Sequence, residues 1–97
     1  MNVKQRYRDE LVSIIHRYIP RSAIYLFGSR ARGGHTATSD IDVAIDAGGR
    51  IDYALILKIL RAIDETSIPM TVDIVDLFTA SEQLKKEVMG EGVKWTD

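Results

Sequence analysis

The sequence predicts an α/β domain, also classed as α+β, in which helices flank a small three-stranded sheet. Stretches with apolar residues three and four positions apart alternate with short apolar runs, as helices and strands do. Gly, Pro and Ser/Asp clusters separate these segments. With 45% hydrophobic residues, a 97-residue chain can bury one modest core. We therefore predict one domain over residues 1–97, with the element order α-β-loop-β-α-β-α.

Composition excludes several classes of protein. The 13 basic and 14 acidic residues nearly balance, so the bulk charge does not indicate a membrane or direct nucleic-acid binder. Because the chain has no cysteine, disulfides and thiolate metal sites are excluded. The N-terminal residues lack the apolar segment of a signal peptide, and no apolar run is long enough to cross a bilayer. We expect a soluble cytoplasmic protein.

The first half of the chain is predicted to hold a helix, two strands and a loop between them. Apolar residues recur at helical spacing over 4–19, and Pro20 ends that helix. The continuous apolar run 23–27 indicates a buried strand. Residues 28–39 form a loop with room for one helical turn at 29–32. Residues 40–46 alternate between Asp and apolar residues for most of their length, which indicates a second strand.

The second half is predicted to hold a helix, a strand and a final helix, at 53–65, at 71–77 and from Thr79 to Gly90. Asp52 is a typical N-cap for the first of these helices. Thr79-Ala80-Ser81-Glu82 has the spacing of a capping box, and Gly90 is expected to close the last helix. The tail carries the only tryptophan, Trp95, which we expect to pack back on the body.

Two carboxylates, Asp40 and Asp42, are the first candidate site residues. In a strand, residues i and i+2 point to the same face, roughly 6.5–7 Å apart along the chain. Two like charges on one face repel each other unless a cation lies between them, and Mg²⁺ commonly takes one or two protein carboxylates together with substrate phosphates. A solvated strand face with acids for solubility would show the same pattern.

The stretch before these carboxylates has the composition of a phosphate-binding loop. Gly28 and Ser29 follow a buried strand directly, where backbone N–H groups and a hydroxyl can meet an anion. Arg30 and Arg32 add charge that can pair with phosphate oxygens. The spacing is neither that of a P-loop nor that of a dinucleotide-binding fingerprint. A polar surface turn has similar composition, so the signal is weak on its own.

A third carboxylate, Asp73, lies inside the last predicted strand between two apolar residues, where an unpaired charge is costly. A neighbouring strand could bring it beside Asp40 and Asp42. Three converging carboxylates could hold two Mg²⁺ ions ~3.5–4 Å apart, as in nucleotidyl transfer. Asp76 falls on the opposite face from Asp73 in a regular strand. The alternative for Asp73 is an edge-strand acid that discourages aggregation.

Taken together, these segments closely resemble the minimal nucleotidyltransferase (MNT) family, small members of the DNA polymerase β-like nucleotidyltransferase superfamily. The resemblance covers nearly the whole chain and rests on segments 26–33, 39–43, 72–75 and 91–93. Its pattern is Gly-Ser, a spacer, Asp-x-Asp and a later Asp in an apolar strand. The spacer 34–38 departs from the more acidic or Pro-containing loop of many relatives, and Trp95 stands where relatives often have Tyr.

The resemblance implies the nucleotidyltransferase fold, with a mixed sheet, and a division of labour in the site. Gly28 and Ser29 would hold the triphosphate of ATP or another NTP. Asp40, Asp42 and Asp73 would bind the metal ions, and Asp73 would also help to activate an acceptor hydroxyl. The hydroxyl oxygen would attack the α-phosphorus, and pyrophosphate would leave.

The resemblance also implies a partner. Small stand-alone members are typically paired with a HEPN-domain protein, a helical ribonuclease toxin. The chain would then be an antitoxin that forms a hetero-oligomer with the toxin and transfers AMP to one of its tyrosines. Two alternatives stay open: a non-catalytic antitoxin that neutralises its partner by contact, and a small-molecule nucleotidyltransferase of the antibiotic-modifying kind. A structural protein with acidic strands is the least favoured reading.

Overall fold

A computed structural model describes residues 3–96, which form an α/β layer around one sheet. The helices are α1 (Gln5–Tyr18), α2 (Ser29–Arg32), α3 (Tyr53–Asp64) and α4 (Glu82–Glu91), and the strands are β1 (Ala23–Phe27), β2 (Ile41–Asp46), β3 (Val72–Asp76) and β4 (Val93–Lys94). The predicted elements are confirmed with ends shifted by no more than one residue, except that α4 begins three residues later than predicted, and the single turn at 29–32 is α2. No helix in residues 3–96 is long and apolar enough to cross a membrane.

The strands form one mixed sheet in the order β3-β2-β1-β4. β2 runs antiparallel to β1 and parallel to β3, and β4 runs antiparallel to β1. The mixed sheet is confirmed, but the prediction of three strands was wrong. The fourth strand is only two residues long and pairs Val93 and Lys94 with Leu26 and Tyr25. Two residues are too few to show a strand period, so this strand depends on the exposed edge of β1 rather than on a local pattern.

The larger core lies on one face of the sheet, between the strands and helices α1 and α3. The odd-numbered residues of β2 face it, since alternate residues of a strand share a face. Nine large side chains are essentially excluded from solvent, all but Val88 within this larger core: Leu11, Ile15, Ile24, Leu26, Ile41, Val43, Ile45, Ile59 and Val88. Each such burial contributes about 1.5–3 kcal/mol relative to an exposed side chain, so this face supplies most of the apolar stabilisation.

The opposite face carries a smaller apolar cluster and is only partly covered, by α4. Phe27, Ala44, Leu77 and Val88 form that cluster. Asp42 shares the face with Ala44 because the two residues are two positions apart in β2. The cluster therefore ends where the carboxylate begins, and the open end of this face is available to a polar site.

The helix caps show one confirmed prediction and one error. Asp52 caps α3 by accepting a hydrogen bond from the Ala54 N–H at 3.2 Å. The last helix instead begins after Ser81, whose hydroxyl accepts from the Leu84 N–H at 3.1 Å. Thr79 is not the cap, because its hydroxyl donates to the Asp76 carbonyl in the preceding turn.

The end of α4 also differs from the prediction, because the helix continues through Gly90 and stops at Gly92. A Cβ built on Gly92 would overlap the Val88 carbonyl oxygen and lie 3.2 Å from the Leu26 carbonyl oxygen. The chain thus passes close against β1 before it pairs as β4. Trp95 follows and its side chain is buried, while its backbone N–H donates to the Ile24 carbonyl at 2.8 Å. The predicted packing of the tail on the body is therefore confirmed.

Candidate active site

Two of the three predicted carboxylates lie side by side on neighbouring strands. The parallel register of β2 and β3 places Asp42 opposite Asp73, and the two carboxyl groups are close enough to share a hydrogen bond. Asp40 lies two residues before Asp42, at the entrance to β2, and is exposed. The sheet therefore brings together residues 31 positions apart in the chain, at the open end of the face that α4 covers.

The surroundings of Asp42 disfavour its ionised form. Burial raises the pKa of the Asp42 carboxyl above its ordinary value, and the negative charges of Asp73, Asp40 and Glu87 raise it further. A hydrogen bond that the protonated Asp42 carboxyl donates to the Asp73 carboxylate acts in the same direction. Like charges held this close favour protonation or a bound cation. A divalent cation bound here would relieve the repulsion between these acidic side chains, which would in turn stabilise the cation.

The Gly28 turn packs directly against this carboxylate. Gly28 has φ 75° and ψ −156°, a conformation that is essentially confined to glycine. A Cβ built on Gly28 would overlap Asp42 Oδ2 and lie 3.2 Å from Asp42 Cγ. The Gly28 carbonyl accepts from the N–H groups of Ala31 and Arg32, which starts α2 with Ser29 as its first residue. The predicted phosphate-binding and metal-binding stretches are therefore in contact.

The two arginines of α2 have different surroundings. Arg30 is only 5% exposed, and its guanidinium donates to the carbonyls of Ser39, Ala37 and Thr36 at 3.0, 3.2 and 3.4 Å. These contacts tie the loop that leads to Asp40 back onto α2. They favour a role in holding the loop, and the predicted phosphate contact of Arg30 stays a prediction.

Arg32 is half-exposed and forms an ion pair with Glu87 of α4 at 3.3 Å, with Glu91 at 3.8 Å. The sequence motifs did not include Glu87. In the structure its negative charge is one of those that raise the pKa of Asp42. The signal available in the sequence was the i, i+4 spacing of Glu87 and Glu91, which puts both on one side of a helix. Nothing in the spacing of the motifs links that side to the strands.

The donor set fits Mg²⁺ as a site shared with a substrate. Among residues 3–96, no three His, Cys, Asp or Glu side chains are arranged to hold a metal ion by themselves. Mg²⁺ characteristically takes one or two protein carboxylates and completes its octahedron with phosphate oxygens and water, which the pair Asp42 and Asp73 allows. Participation of Asp40 and binding of a second ion stay predictions.

Asp76 belongs to the fold rather than to the site. It is buried and accepts from the backbone N–H groups of Ile51 at 2.9 Å and Phe78 at 3.0 Å. A cavity of about 590 Å³ beside Asp76 and Tyr53 includes none of the predicted site residues. Asp46 lies at the far end of β2, where its side chain accepts from the Gly48 N–H.

Residues 9–95 match the family described as polymerase beta, nucleotidyltransferase. The chain belongs to this nucleotidyltransferase family. The match covers the Gly28 turn and all three predicted carboxylates, and the resemblance to minimal nucleotidyltransferases is confirmed.

Two curated relatives of this nucleotidyltransferase domain are adenylyltransferases by name. "Protein adenylyltransferase MntA" of Shewanella oneidensis is 33% identical in an alignment of 95 positions that covers 93% of this chain and 65% of that protein. "Probable protein adenylyltransferase MntA" of Haemophilus influenzae is 27% identical over 86 residues, 89% of this chain and 75% of that protein. The chain thus spans about two thirds to three quarters of the length of these relatives.

Solved structures of toxin–antitoxin complexes share the fold. A chain in a toxin–antitoxin complex with AMP-PNP is 32% identical to this one and superposes on it with a TM-score of 0.72, over 92% of this chain and 72% of that one. A second, a tri-AMPylated HEPN toxin of Shewanella oneidensis in complex with its MNT antitoxin, has 29% identity and a TM-score of 0.70, over 97% of this chain and 72% of that one.

Proposed function

We propose that this chain is a Mg²⁺-dependent nucleotidyltransferase that transfers AMP from ATP to a tyrosine hydroxyl of a HEPN-domain toxin in the cytoplasm, and so acts as its antitoxin. One observation carries the proposal: the parallel register of β2 and β3 holds Asp42 and Asp73 side by side, against the Gly28 turn. On this proposal, the carboxylates that would hold a metal lie against the turn whose backbone would meet phosphate.

The relatives support the choice of donor and acceptor. Two are protein adenylyltransferases by name, one similar complex contains AMP-PNP, and another contains an AMPylated HEPN toxin. The residues that carry the family resemblance, from Gly28 and Ser29 to Asp40, Asp42 and Asp73, are all present here. The proposed assembly is a hetero-oligomer of this chain with the toxin.

Each residue of the site has a role in this reaction. Gly28 and Ser29 bind the triphosphate, while Asp42 and Asp73, with Asp40, hold the cation. Bound Mg²⁺ supplies charge neutralisation for the leaving pyrophosphate and lowers the pKa of the acceptor hydroxyl. A bond forms between the tyrosine oxygen and the α-phosphorus as the bond from the α-phosphorus to the bridging oxygen breaks, and the hydroxyl proton passes to Asp73. Asp73 is exposed, so an incoming protein side chain can reach it.

The direct test mixes the purified chain with Mg²⁺, ATP labelled at the α-phosphate and the protein encoded beside it, which the proposal expects to be a HEPN-domain toxin. We expect the label on a tyrosine of the partner, and loss of labelling with Asp42→Asn. Asp46→Asn is the matched control, because it changes an aspartate of the same strand and parity at the end away from the site. A partner that stays unlabelled with the wild-type chain would rule out protein adenylylation for this pair.

The same preparations separate the alternatives. If the chain only covers its toxin, Asp40→Ala combined with Asp42→Ala will still protect cells from it, whereas protection by transfer requires intact carboxylates. A small-molecule nucleotidyltransferase would instead label a member of a panel of hydroxylated acceptors and leave the partner protein unmodified.

A further inference from the structure

We propose that Glu87 is a positioning residue for nucleotide binding, which with Glu91 holds the Arg32 guanidinium in place so that its other edge meets the triphosphate. The inference rests on the proposed function, since it names the group through which α4 serves that site.

The proposal starts from the ion pairs that join α2 to α4. Arg32 Nη1 donates to Glu87 Oε2 at 3.3 Å and lies 3.8 Å from Glu91 Oε2. Within residues 3–96 both contacts of this guanidinium use Nη1. A guanidinium carries five N–H donors in a rigid planar fork, so the edge formed by Nη2 and Nε is left to bind a second anion.

The position of this pair points to phosphate as that anion. Arg32 belongs to the single turn of α2 that starts at Gly28, and its own N–H donates to the Gly28 carbonyl. On the other side, Glu87 lies near enough to Asp42 for its charge to act on that carboxyl group. Arg32 and Glu87 are therefore at the border between the Gly28–Ser29 turn and the carboxylates, where a triphosphate would lie.

A purely stabilising role explains this arrangement less well. A half-exposed ion pair contributes little to folding, and Glu87 adds to the negative charge around Asp42. A flexible arginine must lose side-chain freedom when it binds phosphate, and a carboxylate that fixes it beforehand reduces that loss. By fixing Arg32 in advance, Glu87 thus favours nucleotide binding, and this effect offsets its repulsion of the other carboxylates.

The test measures the dissociation constant of Mg·AMP-PNP for the full chain by calorimetry. We expect Glu87→Gln to weaken binding about two- to five-fold, the size expected for loss of a half-exposed ion pair. Arg32→Ala should weaken it about ten-fold or more, because a charge-assisted contact to phosphate is lost. The double variant should bind no worse than Arg32→Ala alone, and Glu87→Gln should leave the affinity for AMP unchanged. In the transfer reaction, Glu87→Gln should raise the KM for ATP and leave kcat within about two-fold of the wild-type value.

Glu82→Gln is the matched control, since this glutamate of α4 pairs with Lys85 and not with Arg32. Tighter binding by Glu87→Gln would mean that Glu87 competes with phosphate for Arg32, and would overturn the inference. An effect of Glu87→Gln that persists in the Arg32→Ala background would overturn it as well. If the wild-type chain binds nucleotide but does not label its partner, the proposed function fails while these affinities still decide the role of Glu87. Absence of nucleotide binding by the wild type overturns both.

Discussion

Replacing Gly28 by alanine tests the contact on which the site depends. Holding a residue with a Cβ at φ 75° and ψ −156° costs about 1–3 kcal/mol. The new methyl also overlaps Asp42 Oδ2, and forcing that side chain off its rotamer adds about 0.5–1.5 kcal/mol. Together these give a loss of about 1.5–4.5 kcal/mol in unfolding free energy. For a domain of this size that lowers Tm by roughly 7–22 °C.

The effect on the reaction should exceed the effect on folding. A carboxylate displaced by about 1 Å can cost ~100-fold in rate, so transfer by the folded Gly28→Ala variant should fall at least that far. The assay is single-turnover labelling of the partner at a temperature where circular dichroism shows the variant folded. Gly48→Ala is the control, because Gly48 also has a positive φ, 79°, but a Cβ there meets nothing within 4 Å. Wild-type transfer by Gly28→Ala, or an equal loss in Gly48→Ala, would refute the reasoning.

Three further predictions concern stability. The pKa of Asp42 is raised above its ordinary value of 3.8, so between that pH and its pKa in the folded state the folded chain binds more protons than the unfolded chain. Without metal, the free energy of unfolding should therefore fall as pH rises through this range. Asp42→Asn should remove this slope and raise Tm at neutral pH in EDTA, and parallel Tm–pH curves would contradict this. Asp76→Ala leaves two backbone N–H groups unpaired and should cost about 2–4 kcal/mol in urea unfolding, with transfer per folded molecule unchanged. Trp95→Ala should cost about 3–5 kcal/mol because the ring is buried, whereas Trp95→Tyr should cost less because an aromatic ring still fills most of the space; equal losses in the two variants would show that packing of the ring is not the cause.

Local patterns were enough to predict most of the fold. Helical spacing identified α1 and α3, alternation identified β2, and short apolar runs identified β1 and β3, because each of these elements buries apolar side chains in the larger core. The errors fell where tertiary contacts decide the outcome. β4 forms because β1 has an open edge, and the cap of α4 moves to Ser81 because Thr79 is already bonded in the turn after β3.

The site was predicted in its chemistry but not in its geometry. Alternation placed Asp42 on one face of a strand, but neither strand order nor register follows from a single strand, so its pairing with Asp73 had to come from the sheet. Composition likewise could not distinguish two arginines two positions apart. Burial directs Arg30 to loop carbonyls, while Arg32 reaches α4 through an ion pair.

The alternation that supports the site also protects the folding of the sheet. If β3 slipped by one residue against β2, the side chain of Asp73 would turn into the apolar core and Val72 would turn out of it. Asp76 would lose the position from which it accepts two backbone N–H groups. Misregistered chains would therefore bury an unpaired carboxylate, at a cost that the native pairing avoids. The acidic residues that lower stability when they gather at the site thus help to select the one strand alignment in which the site exists.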